Sequence, residues 1–423
     1  MSGGADAGGV AGRALGGTAG EGGLVASAGE GGAPDCVCDS PPAPFCDDPG
    51  TLLRFGPGGH CVDGACVYDE TSTYCFTYCL SDHCAPFDVS IASGENDSCA
   101  VIHGGPVKCW GGTFGGVLGD VDANYVGPTV VPGLEQGVRK VSVGTNSACA
   151  LTNDGHVKCW GQYFSYAMAT EVTGLPDGIV DIACGAPYFD HTCVITADAT
   201  VKCWGSDNFG QLGDGTTTPS FTYQYEIADV SSLPAGAYAI SAGSNDTCAI
   251  TTGGQLSCWG MNRYGELGIG TYDTSPVPAT VTGFATGAVA VAAGEEYSCA
   301  ITTLGAVRCW GWGADGMGNV NVPLTIGGID AATAVSVDGA ACAITSGGAL
   351  KCWGAGAFGQ LGNGSRTSSY TTAVDVQGMS AGVVAVAVGD YHACAVMESG
   401  DVLCWGSGAG QGTSTPSLVP FWP

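Results

Sequence analysis

The sequence predicts an all-β protein: a seven-bladed β-propeller closed by its C-terminal strand, preceded by a small disulfide-rich module and a disordered Gly/Ala-rich N-terminus. Three observations predict it. Two cysteines ten positions apart, the second followed by Trp-Gly, recur seven times, as in CAVIHGGPVKCW at 99–110. Each pair follows an apolar segment such as VRKVSVG (138–144) or VVAVAVG (383–389), and further upstream lies a Pro-led extended piece such as PVPATVTG (276–283). Each unit of 43 to 55 residues therefore holds four short strands and almost nothing that reads as helix, and a repeat of that length means sheets stacked radially.

The elements follow in chain order. Residues 1–35 are nearly all small or polar, with too little apolar surface to offset the entropy of ordering, and are expected to be a flexible stalk. Residues 36–87 carry eight cysteines, from Cys36 to Cys84. That segment is too short to build a sufficient core, so disulfides are expected to staple it, with about a hundred pairings open. A zinc module using His60 or His83 is the rival reading there. The propeller occupies 88–423.

Within each unit the turn sets the register. Six positions past the first cysteine stands Gly105, Gly155, Gly254, Gly305, Gly348 or Gly400, with Ala199 as the exception. A three-residue hairpin loop needs a left-handed residue at its third position, which glycine supplies without a Cβ penalty. Counting outward from that loop puts the two cysteines face to face, close enough for a disulfide. The predicted pairs are Cys99–Cys109, Cys149–Cys159, Cys193–Cys203, Cys248–Cys258, Cys299–Cys309, Cys342–Cys352 and Cys394–Cys404. A reduced, buried thiol pair is the alternative. Both faces of the hairpin strands are apolar, as expected where every blade is covered by two neighbours, and the Trp residues are expected to fill the space between blades. The chain enters the ring without a Pro-led strand and ends on one, TSTPSLVPFWP, so residues 414–422 are expected to complete the blade begun at 88 and remove an open edge.

Composition narrows the partners. A net charge of −28 would repel a phosphate backbone, which excludes nucleic acid as a partner class. No apolar run approaches the roughly 18 residues of a membrane-spanning helix. Twenty-three cysteines suit an oxidising compartment, so an extracellular or cell-surface location is expected. The first twenty residues lack the apolar core of a signal peptide, and a leader or lipid anchor is therefore expected to be missing from this sequence.

The units resemble the regulator-of-chromosome-condensation repeat family of seven-bladed propellers, whose signature stands here as GSDNFGQLGDGT (205–216), GMNRYGELGIGT (260–271) and GAGAFGQLGNGS (354–365). Parts of it are lost at 161–168 (GQYFSYAM), 311–318 (GWGADGMG) and 406–414 (GSGAGQGTS), where altered outer loops are expected. Relatives with hairpin cysteines look like bacterial secreted or surface proteins. The resemblance implies a scaffold whose faces bind other proteins. Guanine-nucleotide exchange on a small GTPase, β-lactamase inhibition and light sensing occur in the family, and none carries over residue by residue.

No nucleophile elbow, zinc-protease or phosphate-loop motif occurs, and GWGADG (311–316) and GAGAFG (354–359) are repeat glycines without a following helix rather than a dinucleotide loop. Neither cofactor nor metal is expected. The variable positions lie in the turns before each first cysteine, which must all emerge on one face. The binding residues expected there are Glu95, Asn96, Asp97, Asn146, Tyr188, Phe189, Asp190, His191, Asn245, Asp246, Glu295, Glu296, Tyr297, Asp390, Tyr391 and His392; solvated turn residues are the plainer reading. The resulting expectation is a monomeric, non-catalytic protein-binding scaffold for an unidentified protein or surface ligand. The alternatives are a carbohydrate-active hydrolase or lyase, which a pocket with two converging carboxylates and a shifted pKa would favour, and a GTPase exchange factor.

Overall fold

A computed structural model describes residues 89–102, 104–112, 126–162, 164, 168–185, 190–218, 223–231, 233, 236–295, 297–408 and 412–419, together with backbone at 45–48, 51–62, 65–74, 79–80 and 83–84. The expected stalk lies outside the described residues, and of the expected Cys-rich module only those backbone segments are described. Backbone proximity divides the chain into two units, Met1–Pro44 with Leu53–Ser72, and Phe45–Leu52 with Thr73–Pro423. The first holds most of two strands that run side by side, Thr51–Val62 and Ala65–Tyr74. In the second, a short pair sets Cys79 opposite Cys84 and the propeller follows.

Seven four-stranded antiparallel sheets make the ring. Blade one consists of Val89–Ser93, Asp97–Ile102, Lys108–Gly111 and Val126–Val130, and blade seven of Val383–Val388, His392–Met397, Val402–Gly406 and Thr413–Leu418. Each blade thus begins on the apolar segment, passes through the cysteine hairpin and ends on the Pro-led strand.

That order overturns the expected closure. Thr413–Leu418 pairs within its own blade, with Leu403 opposite Leu418 and Gly406 opposite Thr413, and so completes blade seven rather than blade one. The Pro-led strand lies a short connector away from the strand it follows, and that local pairing costs less chain entropy than a return across the ring. Closure is instead made by packing: Ala100 and Trp110 of blade one share an apolar cluster with Val396, Val402 and Val419 from the end of the chain.

The hairpin register is the predicted one. Cys149 faces Cys159, and the loop 153–155 is closed by Gly155 N–H donating to the Thr152 carbonyl at 3.0 Å. Gly155 has φ +83°, and Ala199 holds the same left-handed conformation at φ +62°. In blade one the positive φ falls at Gly104, one residue earlier than expected.

Two devices tie neighbouring blades. The Trp of every W-G is buried, where its large apolar surface contributes most. Around the channel, serine hydroxyls of one first strand accept main-chain N–H groups of the next: Ser90 from Val141, Ser142 from Cys184, Ser241 from Ala293 and Ser336 from Val388, at 2.8 to 3.0 Å.

Candidate functional site

The turns between first and second strands form a closed circle at one end of the ring. A Cβ placed on Gly94 would lie 2.6 Å from the Gly144 carbonyl oxygen, one on Gly243 2.4 Å from that of Gly294, and one on Gly389 2.2 Å from that of Gly94. Only glycine lets the backbones approach this closely. The expected one-face arrangement follows directly.

This crowding decides which of the expected binding residues reach solvent. Glu95, Asn96, Asn146, Glu295, Tyr297 and Tyr391 are partly exposed, whereas Asp97, Asp190, His191, Asn245, Asp246, Asp390 and His392 are buried. Tyr188, Phe189 and Glu296 lie outside the described residues. Several buried members work as connectors between blades. His191 Nε2 lies 2.8 Å from Thr247 Oγ1, and His392 Nε2 2.8 Å from Ser98 Oγ, the latter across the ring closure. Asp190 accepts from Ser147 Oγ at 2.8 Å and from the Asn146 N–H at 3.2 Å. Burial holds His392 down at about 4 and pushes Asp190 up to about 6. It also raises Asp97 and Asp246 well above the ordinary carboxylate range.

All seven predicted disulfides are present, with Cα atoms 4.0 to 4.1 Å apart. Cys184 is a buried free thiol, pushed up to about 11 by burial, and accepts a weak hydrogen bond from Thr192 Oγ1. Among the described residues no group of three or more His, Cys, Asp or Glu side chains has metal-holding geometry.

The joints between blades are where the repeat signature matters. Trp259 Nε1 donates to the Gln211 carbonyl at 3.0 Å, Trp310 Nε1 to the Glu266 carbonyl at 2.6 Å, and Trp405 Nε1 to the Gln360 carbonyl at 2.8 Å. Each acceptor lies in the Gly-Gln/Glu-Leu-Gly loop of the preceding blade, and the adjacent Leu212, Leu267 or Leu361 is buried. The loop therefore plugs the joint with one leucine and caps the indole N–H with one carbonyl.

Between blades five and six that plug is absent. The loop 311–318, GWGADGMG, folds on itself, with Gly313 N–H donating to the Gly318 carbonyl and Asp315 accepting from Met317 and Gly318 N–H. A cavity of about 100 Å³ opens there. Trp353 and Tyr297 line it, and both the indole N–H and the phenol oxygen are buried without a hydrogen-bond partner. Glu295 and Asp338 contribute carboxylates, and Trp312 and Tyr370, respectively 53% and 36% exposed, stand at its edge. The Asp338 carboxyl is raised well above its ordinary range, chiefly by burial and then by Asp390 and Glu295. Sequence reasoning named Glu295 and Tyr297 and missed Asp338, Trp312, Trp353 and Tyr370. The signal for them was the lost signature at 311–318.

The fold and its Trp-to-loop joints define a seven-bladed repeat propeller. Its repeats match the regulator of chromosome condensation (RCC1) repeat at residues 138–162, 179–211, 238–266, 288–316 and 383–411, and a second profile of the same repeat at 253–301 and 348–396. The chain belongs to the RCC1 repeat family. It is 32% identical over 146 residues, 33% of this chain, to the ultraviolet-B receptor UVR8 of Arabidopsis thaliana, and 30% identical over 198 residues, 43% of this chain, to the E3 ubiquitin-protein ligase HERC2 of Homo sapiens. These matches span 30% and 4% of those relatives' lengths. Among solved structures, human WBSCR16 superposes with a TM-score of 0.63 at 18% identity, covering 74% of this chain and 93% of that one. Yeast RCC1 (Prp20), in its complex with Kap60, gives 0.62 at 16% identity, covering 74% and 83%. Likeness at that identity concerns the fold.

Proposed function

We propose that the protein is an exported, non-catalytic binding scaffold that presents the glycine-locked turn face to another protein. The carrying observation is the division of labour on that face. Its buried polar residues link blades, while Glu95, Asn96, Asn146, Glu295 and Tyr391 remain partly exposed on a rigid ring, where turns on a stiff framework suit recognition. Seven disulfides support export, since such bridges persist in oxidising compartments.

The test has two parts. Peptide mapping of native protein without reductant should recover all seven hairpin disulfides, and free thiols at those positions would remove the argument for export. Immobilised protein should then retain a partner from the extracellular fraction. A Glu95→Lys, Asn146→Lys, Tyr391→Ala variant should lose it, and an Asp154→Ala, Asp198→Ala variant at the opposite end of the ring should keep it. Equal capture by both variants refutes the face assignment. A second reading, hydrolysis of a carbohydrate, draws on Asp338 and Glu295 at the blade five to six cavity; it requires turnover of aryl glycosides that Asp338→Asn abolishes.

A further inference from the structure

The cavity between blades five and six is shaped by what the other joints contain. At the three plugged joints a loop carbonyl meets the indole N–H at 2.6 to 3.0 Å and a leucine fills the remaining space. Trp353 has neither neighbour. It is 1% exposed, so water is nearly excluded from the ring, yet its N–H has no acceptor. The Tyr297 hydroxyl sits in the same condition beside Gly354, whose missing Cβ leaves it room. Leaving two such groups dry and unpaired costs free energy that a suitable ligand would recover.

The lining excludes ligand classes one after another. An anion is disfavoured by Glu295, Asp338 and the overall charge of −28. A bare ammonium or guanidinium suits the carboxylates and the aromatic walls, but it has no acceptor to offer Trp353. A purely apolar group leaves the Trp353 N–H and the Tyr297 hydroxyl unmatched. What remains is a neutral molecule whose groups both donate and accept, with a flat C–H face for Trp312 and Tyr370. A volume of about 100 Å³ corresponds to roughly three waters at liquid density, room for one edge of a ring whose outer face lies on the exposed aromatics.

The geometry points to a sugar-binding site in which a neutral pyranose enters between blades five and six, accepts from Trp353 Nε1–H and the Tyr297 hydroxyl, donates to Glu295 and Asp338, and stacks on Trp312. Its hydroxyls replace the loop carbonyl that caps the indole at the three plugged joints, and its ring replaces the leucine. The assignment adds a ligand to the turn face and stands independently of whether that face also holds a protein.

The test uses the full oxidised chain titrated with methyl glycosides of glucose, galactose, mannose and N-acetylglucosamine. The indole N–H resonance of Trp353 and the fluorescence of exposed Trp312 are followed. At least one glycoside should saturate and shift both signals. Trp312→Ala, a surface change, should weaken binding by about tenfold or more with the thermal midpoint unchanged. Grafting MNRYGELGIGT in place of the blade five loop after Gly311 should abolish binding while the seven disulfides still form. The proposal is overturned if no glycoside moves the Trp353 resonance, if Trp312→Ala binds equally well, or if only lysine-containing or arginine-containing peptides bind. Loss of the protein partner in the face variant described above, with glycoside binding intact, separates the two readings.

Discussion

Blade five has one neighbour on each side, and its two joints are filled in opposite ways. Toward blade four, the Glu266 carbonyl caps Trp310, Ser298 Oγ adds a second hydrogen bond to that carbonyl at 3.3 Å, and Leu267 is fully buried beside Phe284. Toward blade six, no leucine plug is present, Ala314 and Val320 share the apolar cluster of Trp353, and the indole N–H is unmatched. Identical strand order and identical disulfides stand on both sides. The difference shows that the hairpin sets the blade, while the loop after Trp-Gly decides whether the joint is closed core or open cleft.

The largest effect expected from breaking the closed joint is at its plug. Leu267→Ala removes a fully buried side chain between rigid sheets that relax little, so it should cost about 2–5 kcal/mol, read as a lowered denaturation midpoint under non-reducing conditions. Next comes the indole bond itself. Trp310→Phe deletes the shorter of the two hydrogen bonds to the Glu266 carbonyl and leaves it only the 3.3 Å bond from Ser298 Oγ, whereas Trp353→Phe deletes a donor that bonds to nothing. The first should be more destabilising than the second by about 1 kcal/mol. Equal losses would mean that the indole bond contributes nothing to joint strength.

A joint of a third kind, between blades seven and one, adds pH to the comparison. His392 is buried with its Nε2 on Ser98, and its folded pKa is about 4 against an ordinary 6.5. The unfolded chain therefore binds the proton more readily, so the stability associated with this histidine is intact above about pH 6.5 and is lost as pH falls toward 4. The full effect is about 3 kcal/mol. Asp190, at the joint of blades two and three, has the opposite sign: its folded pKa is raised from 3.8 to about 6, so its contribution is present below pH 3.8 and is lost as pH rises through 6. Denaturation of His392→Gln between pH 4 and 7 should show a shallower acid-side fall than the parent, and Asp190→Asn a shallower decline on going from pH 4 to 7.

The comparison also explains what could be read from residues alone. Each hairpin was legible because its determinants are local: the ten-residue cysteine spacing and the left-handed turn residue fix the register within one unit. The closure was misread because a periodic pattern has no marked start, and whether the Pro-led strand opens one blade or ends another depends on which edge it pairs. His191 and His392 looked like turn residues on a recognition face, yet the glycine-to-carbonyl approach draws each beneath the next blade. The cleft was half legible. The missing Gln/Glu-Leu pair of 311–318 marked the loop, but only the ring places Trp353, Tyr370 and Asp338 around the gap.

The smallest expected effect sharpens the same contrast at one backbone position. Where the hairpin loop of blade four approaches the next chain segment, a Cβ on Gly254 would lie 2.7 Å from Gly287 N, and Gly287 has φ +83°. The matching position toward blade six is Ala331, at φ +52°, with Gly305 pressed against its Cα. An alanine held left-handed carries a steric cost that glycine avoids, partly offset by the greater freedom glycine loses on folding. Ala331→Gly should therefore stabilise the protein by about 0.5–1 kcal/mol, and Gly287→Ala should destabilise it by at least as much. Equilibrium denaturation of the pair decides the point. A loss of stability in Ala331→Gly would show that the methyl group packs favourably enough to outweigh the strain, and that the open joint owes its backbone path to that contact rather than tolerating it.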